Sequence, residues 1–388
     1  MSEEETKNKF VIKTLEGTIF GLAVRKNTLE YLMQSVGRQM LGVNLVNIFI
    51  DLNSAIRRVV TERKTRLIAE YPGTGFTAAV INLCAHYRSY FKSHGVASRF
   101  FIVYGLNHPD ITVSKYCPEY NKKFWEGFSL TENGQFISQE IERQLKLLNY
   151  LCNSIPALYF FNANKYDVPA FFEYIREYFP EDMFYGPGIQ NIIVSKDDLS
   201  FELVNERTMM LRPRKSPTHY ENKNTLRYKN EDTSYIATYK DFWEKYCAFR
   251  HVTNRLVLAN PIPIKLYSNV LAISGTLDRS MKAMVGNDFS VAYNAINGAI
   301  QTGLLQEDKY YKQSEVNIAL NSIGMSYNEQ ESEDRWKAID VRFQAQLIIK
   351  SDPLYKNLVL TDLKSTGKDL QNVNAQYFSN NPLHLGDL

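Results

Sequence analysis

Short apolar runs alternate along the chain with longer stretches whose apolar residues recur at helical spacing. LVNIFI, 45–50, reads as a buried strand ending in Asp51, with a helix expected just beyond it and Asn53 or Ser54 as its N-cap. GFTAAVINLCAHYRSYFKSHG is an amphipathic helix closed by Gly95, and RFFIVYG is a second buried strand. A helix from Ser138 to Asn153 leads into IPALYFFNANKY; VPAFFEYIREYF is a further helix, and NIIVS is a third buried strand. Residues 212–235 are polar and basic, as in an exposed loop. From 255 to 305 the chain is helical again with glycine-punctuated turns, and the charged stretch 306–335 reads as a connecting excursion.

Strands and helices alternating in this way predict an α/β fold, a mostly parallel central sheet with helices on both faces. Ligands of such sheets gather beyond the carboxyl ends of the strands. Acidic residues stand there in this chain: Asp51 after the first strand, Asp197 and Asp198 after the third. A carboxylate at that point is a suitable hard ligand for Mg²⁺, while the plainer role for Asp51 is to cap the following helix.

Composition narrows the picture. With 388 residues and 44% hydrophobic content the chain can bury a large core, which excludes a disordered or fibrous protein. Lys and Arg number 45 against 42 Asp and Glu, so any contact with nucleic acid must be a local patch. The 25 Tyr and 22 Phe are core residues by default, and interface or stacking residues otherwise. Cys84, Cys117, Cys152 and Cys247 form no C-x-x-C pair and read as reduced thiols. The acidic, polar start MSEEETKNKF is unlike a secretory signal, and no apolar run reaches the roughly 18 residues of a membrane span.

Other chemistries find little support. The six His show no HxH or HxxxH spacing, and neither G-x-x-x-x-G-K-[ST] nor G-x-S-x-G occurs. Two basic clusters could meet phosphate: Arg57, Arg58, Arg63, Lys64 and Arg66, and the run RPRKSP from Arg212 to Pro217. A solvated face accounts for the first as simply, and a solvated loop is the plainer reading of the second.

NIIVSKDDLSFELV is more specific. A buried strand followed by Ser195, Asp197 and then Glu202-Leu203 resembles the fourth core strand of the PIN/flap-endonuclease superfamily, where S-x-D-x-D is followed by an apolar pair and Gln-Leu. In that register the second acid falls on Leu199, and Asp198 is one place early. Other pieces then resemble, in order, the phage-type 5′ nucleases, the group that includes the phage RNase H. IFIDLNS resembles the first catalytic strand. RFFIVYG with the tract holding Pro118, Tyr120, Lys122 and Lys123 resembles the second. VLAISGTLDRSMKAMVGNDFSVAYNAINGAI resembles the helix–three-turn–helix element that grips the backbone of duplex DNA, and two stretches beyond residue 353 resemble the C-terminal part.

The resemblance implies a PIN/FEN-like core at 45–254, a helix–three-turn–helix-like subdomain at 255–305, an N-terminal extension at 1–44 and a C-terminal elaboration at 306–388. It also implies Arg57, Arg58 and Lys64 in a helical arch over single-stranded DNA, and Lys122, Lys123, Gly275, Arg279 and Lys282 as nucleic-acid contacts.

Such nucleases hold two divalent metals among six or seven carboxylates, and here that set is thinned. Tyr104, Gly105, Leu106 and Asn107 follow the second strand with no acid. Asp167 stands for the Glu of a Glu-Ala-Asp-Asp motif, but Pro169 and Ala170 occupy the Asp positions. Thr276 and Arg279 stand where Asp is expected, with Asp278 out of register unless the alignment shifts by one. Asp51 and Asp197 are the residual catalytic and metal positions, with Asp167 and Asp198 as further ligands. Two functions follow. One is a catalytically degenerate nuclease fold that binds DNA weakly without sequence preference, or joins phage structural proteins, itself included, in the host cytoplasm or the virion. The other is an active Mg²⁺-dependent 5′–3′ exonuclease or flap endonuclease.

Overall fold

The computed structural model describes residues 42–54, 75–105, 115–118, 132–163, 166–179, 181–195, 197–211, 235–236, 262–276, 281–284, 289–307 and 309–351. LVNIFID forms the central strand β1 (Leu45–Asp51). Its period of two sends Val46, Ile48 and Ile50 into one core and Phe49 into the other. The helix α1 (Gly75–Ser93) leads to β2 (Ala97–Tyr104), and α2 (Glu132–Ser154) leads to β3 (Leu158–Asn162). Next come α3 (Val168–Tyr178), the single turn α4 (Glu181–Phe184) and β4 (Ile189–Val194). A 3-10 helix (Asp198–Leu203) and β5 (Thr208–Leu211) follow, with β6 (Tyr235–Ile236) at the edge.

The six strands lie in the order β3-β2-β1-β4-β5-β6, parallel except for β6, which runs antiparallel to β5. The mostly parallel α/β architecture is as the sequence indicates. The strand β3, whose LYFFN the sequence reading left unassigned, pairs with β2, and α2 begins at Glu132, ahead of Ser138.

Helices cover both faces. On one, α1 and α2 pack Phe76, Val80, Tyr87, Phe91, Ile141 and Leu148 against β1 and its neighbours. Gln144 of α2 holds the start of α1, its Oε1 accepting from the Phe76 and Thr77 amides at 2.6 and 3.2 Å. That bond satisfies donors a helix start leaves open. On the other face lie α3 and five helices from the C-terminal half: α5 (Tyr267–Ser274), α6 (Phe289–Gln301), α7 (Val316–Ser322), α8 (Glu329–Ile339) and α9 (Val341–Ser351).

The stretch 306–335 is therefore no mere excursion. It contains α7 and most of α8, which bury Val316, Ala319, Leu320 and Arg335 despite their polar surroundings in sequence. The aromatic surplus also goes inward. Phe49 stacks on Phe101 at 4.9 Å and Phe101 on Tyr159 at 5.0 Å, while Tyr150 leaves its ring largely exposed. Cys84, Cys117 and Cys152 are buried; burial raises Cys84 and pushes Cys152 up to about 12, so neither of these two is a nucleophile at neutral pH. Cys247 lies outside the described residues.

A polar row crosses the middle of the sheet. The Arg99 guanidinium donates to Asn47 Oδ1 at 2.8 Å and to the Met183 carbonyl at 2.7 Å. Asn47 Nδ2 donates to Met183 O and to Asn191 Oδ1, and Asn191 Nδ2 to the Phe184 carbonyl at 3.0 Å. Three strands thus hold the carbonyls that end α4, groups a helix cannot satisfy itself.

Candidate functional site at the switch of strand order

The chain adds β2 and β3 on one side of β1 and then crosses to lay β4 on the other, so the order reverses between β1 and β4. The carboxyl ends of these two strands form the cleft where open α/β sheets bind ligands. With Ile50 opposite Val194, Asp51 leaves β1 beside Ser195, which leaves β4. Asp167, the N-cap residue of α3, and Asp197, the N-cap of the 3-10 helix, follow the carboxyl ends of β3 and β4. Three acids named from the sequence are thus brought to one edge.

Their engagement is specific. Asp51 is 1% exposed, and its Oδ1 accepts from the Ser54 amide at 3.2 Å. Its Oδ2 accepts from the Ser54 and Ser195 hydroxyls at 2.6 and 2.7 Å. Residues 52–54 form a helical turn directly after Asp51, which caps it. Ser195 Oγ in turn accepts from the Asp197 amide at 3.0 Å, and Asp197 Oδ1 accepts from the Leu199 amide at 3.1 Å. Both acids therefore cap helical turns of their own chain, and Ser195, fully buried, links them. Asp198 is the first residue of the 3-10 helix.

Asn53, expected as an N-cap, does something else. Its side-chain amide clasps Gly105, accepting from the Gly105 N–H at 3.1 Å and donating to its carbonyl. That clasp lies at the end of β2, where the resemblance leads one to expect an acid. A Cβ at Gly105 would lie 2.9 Å from the Tyr166 carbonyl oxygen and 3.0 Å from Ala163 Cβ, so no carboxylate fits without moving backbone. Pro169 and Ala170 lie in the first turn of α3, where Ala170 is 1% exposed.

Among the described residues no group of three or more His, Cys, Asp or Glu could hold a metal ion. A pair of divalent cations needs several carboxylates converging on positions about 3.5–4 Å apart. The described acids fit such a pair poorly, because hydroxyl and amide donors of the chain already occupy the Asp51 oxygens and one Asp197 oxygen.

Of the expected nucleic-acid contacts, Arg57, Arg58, Lys64, Lys122, Lys123 and Arg279 lie outside the described residues. Lys282 is exposed. Gly275 ends α5 at φ 71° and ψ 178°, and the space beside it is filled by the chain itself. A Cβ there would lie 2.6 Å from the Lys282 carbonyl carbon and 2.8 Å from the Ala283 nitrogen. Arg335 of α8, which sequence reasoning missed, fixes this crossing: it donates to the Ala272 carbonyl at 2.8 Å and to the Lys282 carbonyl. In ESEDRWK nothing separates a buried Arg from a solvated one; the only signal is the adjacent Trp336.

No family model matches the chain, and no curated protein matches it in sequence. Among solved structures it is similar to the flap endonuclease of bacteriophage T5 in a pseudo-enzyme–product complex with DNA and metal ions. The identity is 14% and the TM-score 0.49, over 84% of this chain and 99% of that one. The same T5 protein co-crystallized with metal ions gives 14% and 0.47, with 84% and 98% covered. A mutant T5 5′-exonuclease gives 13% and 0.41 over the same shares. These belong to the group of phage 5′ nucleases that the order of motifs resembles. Likenesses of this size carry no functional weight, and no helix among the described residues is long and apolar enough to cross a membrane.

Proposed function

We propose that this chain has the fold of a phage-type 5′ nuclease whose metal site has degenerated, and that it acts by binding. The observation that carries this is the double capping at the sheet edge. Both Asp51 oxygens and Asp197 Oδ1 accept from Ser54, Ser195 and Leu199, so much of their charge is met by the chain's own donors. The clasp of Asn53 on Gly105 points the same way, since it builds a neutral contact where an acid would stand.

Weak, sequence-independent contact with duplex DNA is what such a fold retains. Exposed Lys282, beside the tight turn at Gly275, supplies one positive charge, and Arg279 adds a second from the same connection. The partner is phosphate, so binding releases counterions and falls steeply with salt. Anisotropy of a labelled duplex is expected to show binding at about 50 mM salt that is largely lost by about 200 mM. Lys282→Glu together with Arg279→Glu should abolish it at both. Absence of binding at low salt, with self-assembly of the chain, would replace DNA by protein as the partner.

A further inference from the structure

The 3-10 helix that Asp197 caps ends in a dry cluster of charge. Glu202 is 2% exposed, Asp340 0%, Glu173 3% and Arg176 5%. The junction of α8 and α9 brings Asp340 and Arg342, α3 brings Glu173 and Arg176, and the loop before α7 brings Tyr310. From α5 comes only an uncharged hydroxyl, Ser268.

Most of these groups are already committed. Arg176 pairs with Glu173 and donates to the Leu203 carbonyl at 2.7 Å. Arg342 Nε lies 3.8 Å from Glu173 Oε1, and its guanidinium sits 4.7 Å from the centre of the Tyr310 ring. Asp340 accepts from Ser268 and Tyr310 hydroxyls, both at 2.8 Å, and from the Phe343 amide at 2.5 Å. Burial raises the Asp340 carboxyl, and these donors, with Arg342, oppose that rise. Two guanidiniums, Arg176 and Arg342, then face three carboxylates, and Arg342 attracts Glu202 as well as Glu173 and Asp340. One negative charge is left over, and Glu202 is the acid whose Oε1 has no hydrogen-bond partner, although Arg342 and the Val341 amide draw it toward ionisation. Ionised, it would add an unbalanced negative charge to a dry interior, which costs far more than burying a neutral acid.

We propose that Glu202 is a proton-held latch: neutral, it seats the α8–α9 junction on the 3-10 helix, and on ionising it loosens that joint. Burial, with the neighbouring Asp340 carboxylate, pushes the Glu202 carboxyl well above the usual range. The loosened element is the one capped by Asp197, so the switch reaches the candidate site without touching it.

The sign differs from that of a paired carboxylate. The folded chain keeps a proton that the unfolded chain gives up near pH 4.3, so stability falls as pH rises from there toward the folded-state value. Urea unfolding of the full chain and of Glu202→Gln, compared from pH 5 to 9, reads this directly. The unfolding constant of the wild type relative to the variant is expected to climb by up to about tenfold per pH unit. A flat or falling ratio would overturn the latch. Hydrogen exchange of the unaltered chain gives an independent reading, should the variant fail to fold. After correction for intrinsic rates, protection of the Val204 amide, bonded to the Phe201 carbonyl at 3.1 Å, should drop over the same range. Unchanged protection would refute the latch equally.

Discussion

Gly275→Val is expected to destabilise the chain by about 4 kcal/mol, enough to abolish a cooperative transition if total stability is ordinary. Two costs add. The backbone at φ 71° and ψ 178° is open to glycine almost alone, and the new Cβ would press into the backbone of Lys282 and Ala283. Neither neighbour is a flexible tip that can turn aside. The Thr276 amide bonds to the Met281 carbonyl at 3.0 Å and the Met284 amide to the Ile273 carbonyl at 2.8 Å, so the two chain segments are laced together on both sides. Thermal unfolding followed by circular dichroism checks this. A loss below about 1 kcal/mol would mean that the crossing is loose and the glycine is there for another reason.

Arg99→Leu is expected to cost about 3 kcal/mol. Leucine fills the aliphatic part of the site but leaves the Asn47 oxygen without its donor and the Met183 carbonyl with one donor where it had two. Burial lowers the Arg99 pKa without making the group dispensable, since its value lies in those bonds. The double variant with Asn47→Leu should cost less than the sum of the two single changes, because the second removes a group the first left unsatisfied. Urea midpoints of the four proteins complete the cycle. Strict additivity would show that the row across the sheet is not a coupled network.

Much of the sheet was legible because its strands, apart from polar residues such as Asn47, Arg99 and Asn191, are apolar on both faces. LVNIFI, RFFIVYG and NIIVS have no polar face to hide, and helical spacing in GFTAAVINLCAHYRSYFKS announced a cover for them. The strand β3 was harder: LYFFN is five residues long, with no alternation to tell it from the end of a helix. The helices α7 and α8 hid for a different reason. They bury few large apolar residues and are fixed by polar ones, Arg335 on backbone carbonyls and Asp340 on Ser268 and Tyr310, and composition reads such residues as solvated.

The candidate site was half legible. That Asp51 and Asp197 would stand at one sheet edge followed from their places after strands; Asp167 was named through the resemblance alone. What each does there depends on partners distant in sequence. Ser195 reaches Asp51 across 144 positions, and Asn53 reaches Gly105 across 52. No pattern along the chain shows which of two roles, ligand or cap, a carboxylate at a strand end has taken. Gly105 illustrates the limit: the resemblance leads one to expect an acid near the end of β2, and only the packing of Tyr166 and Ala163 shows that no side chain fits at Gly105.

Cleavage of a 5′-labelled flap or nicked duplex by the purified full-length chain, in Mg²⁺ and then in Mn²⁺, tests the central claim most directly. Two capping carboxylates joined by a serine should leave both substrates uncut over hours at enzyme excess. Cleavage that depends on the metal, and that Asp51→Asn and Asp197→Asn each remove while the variants stay folded, would contradict it.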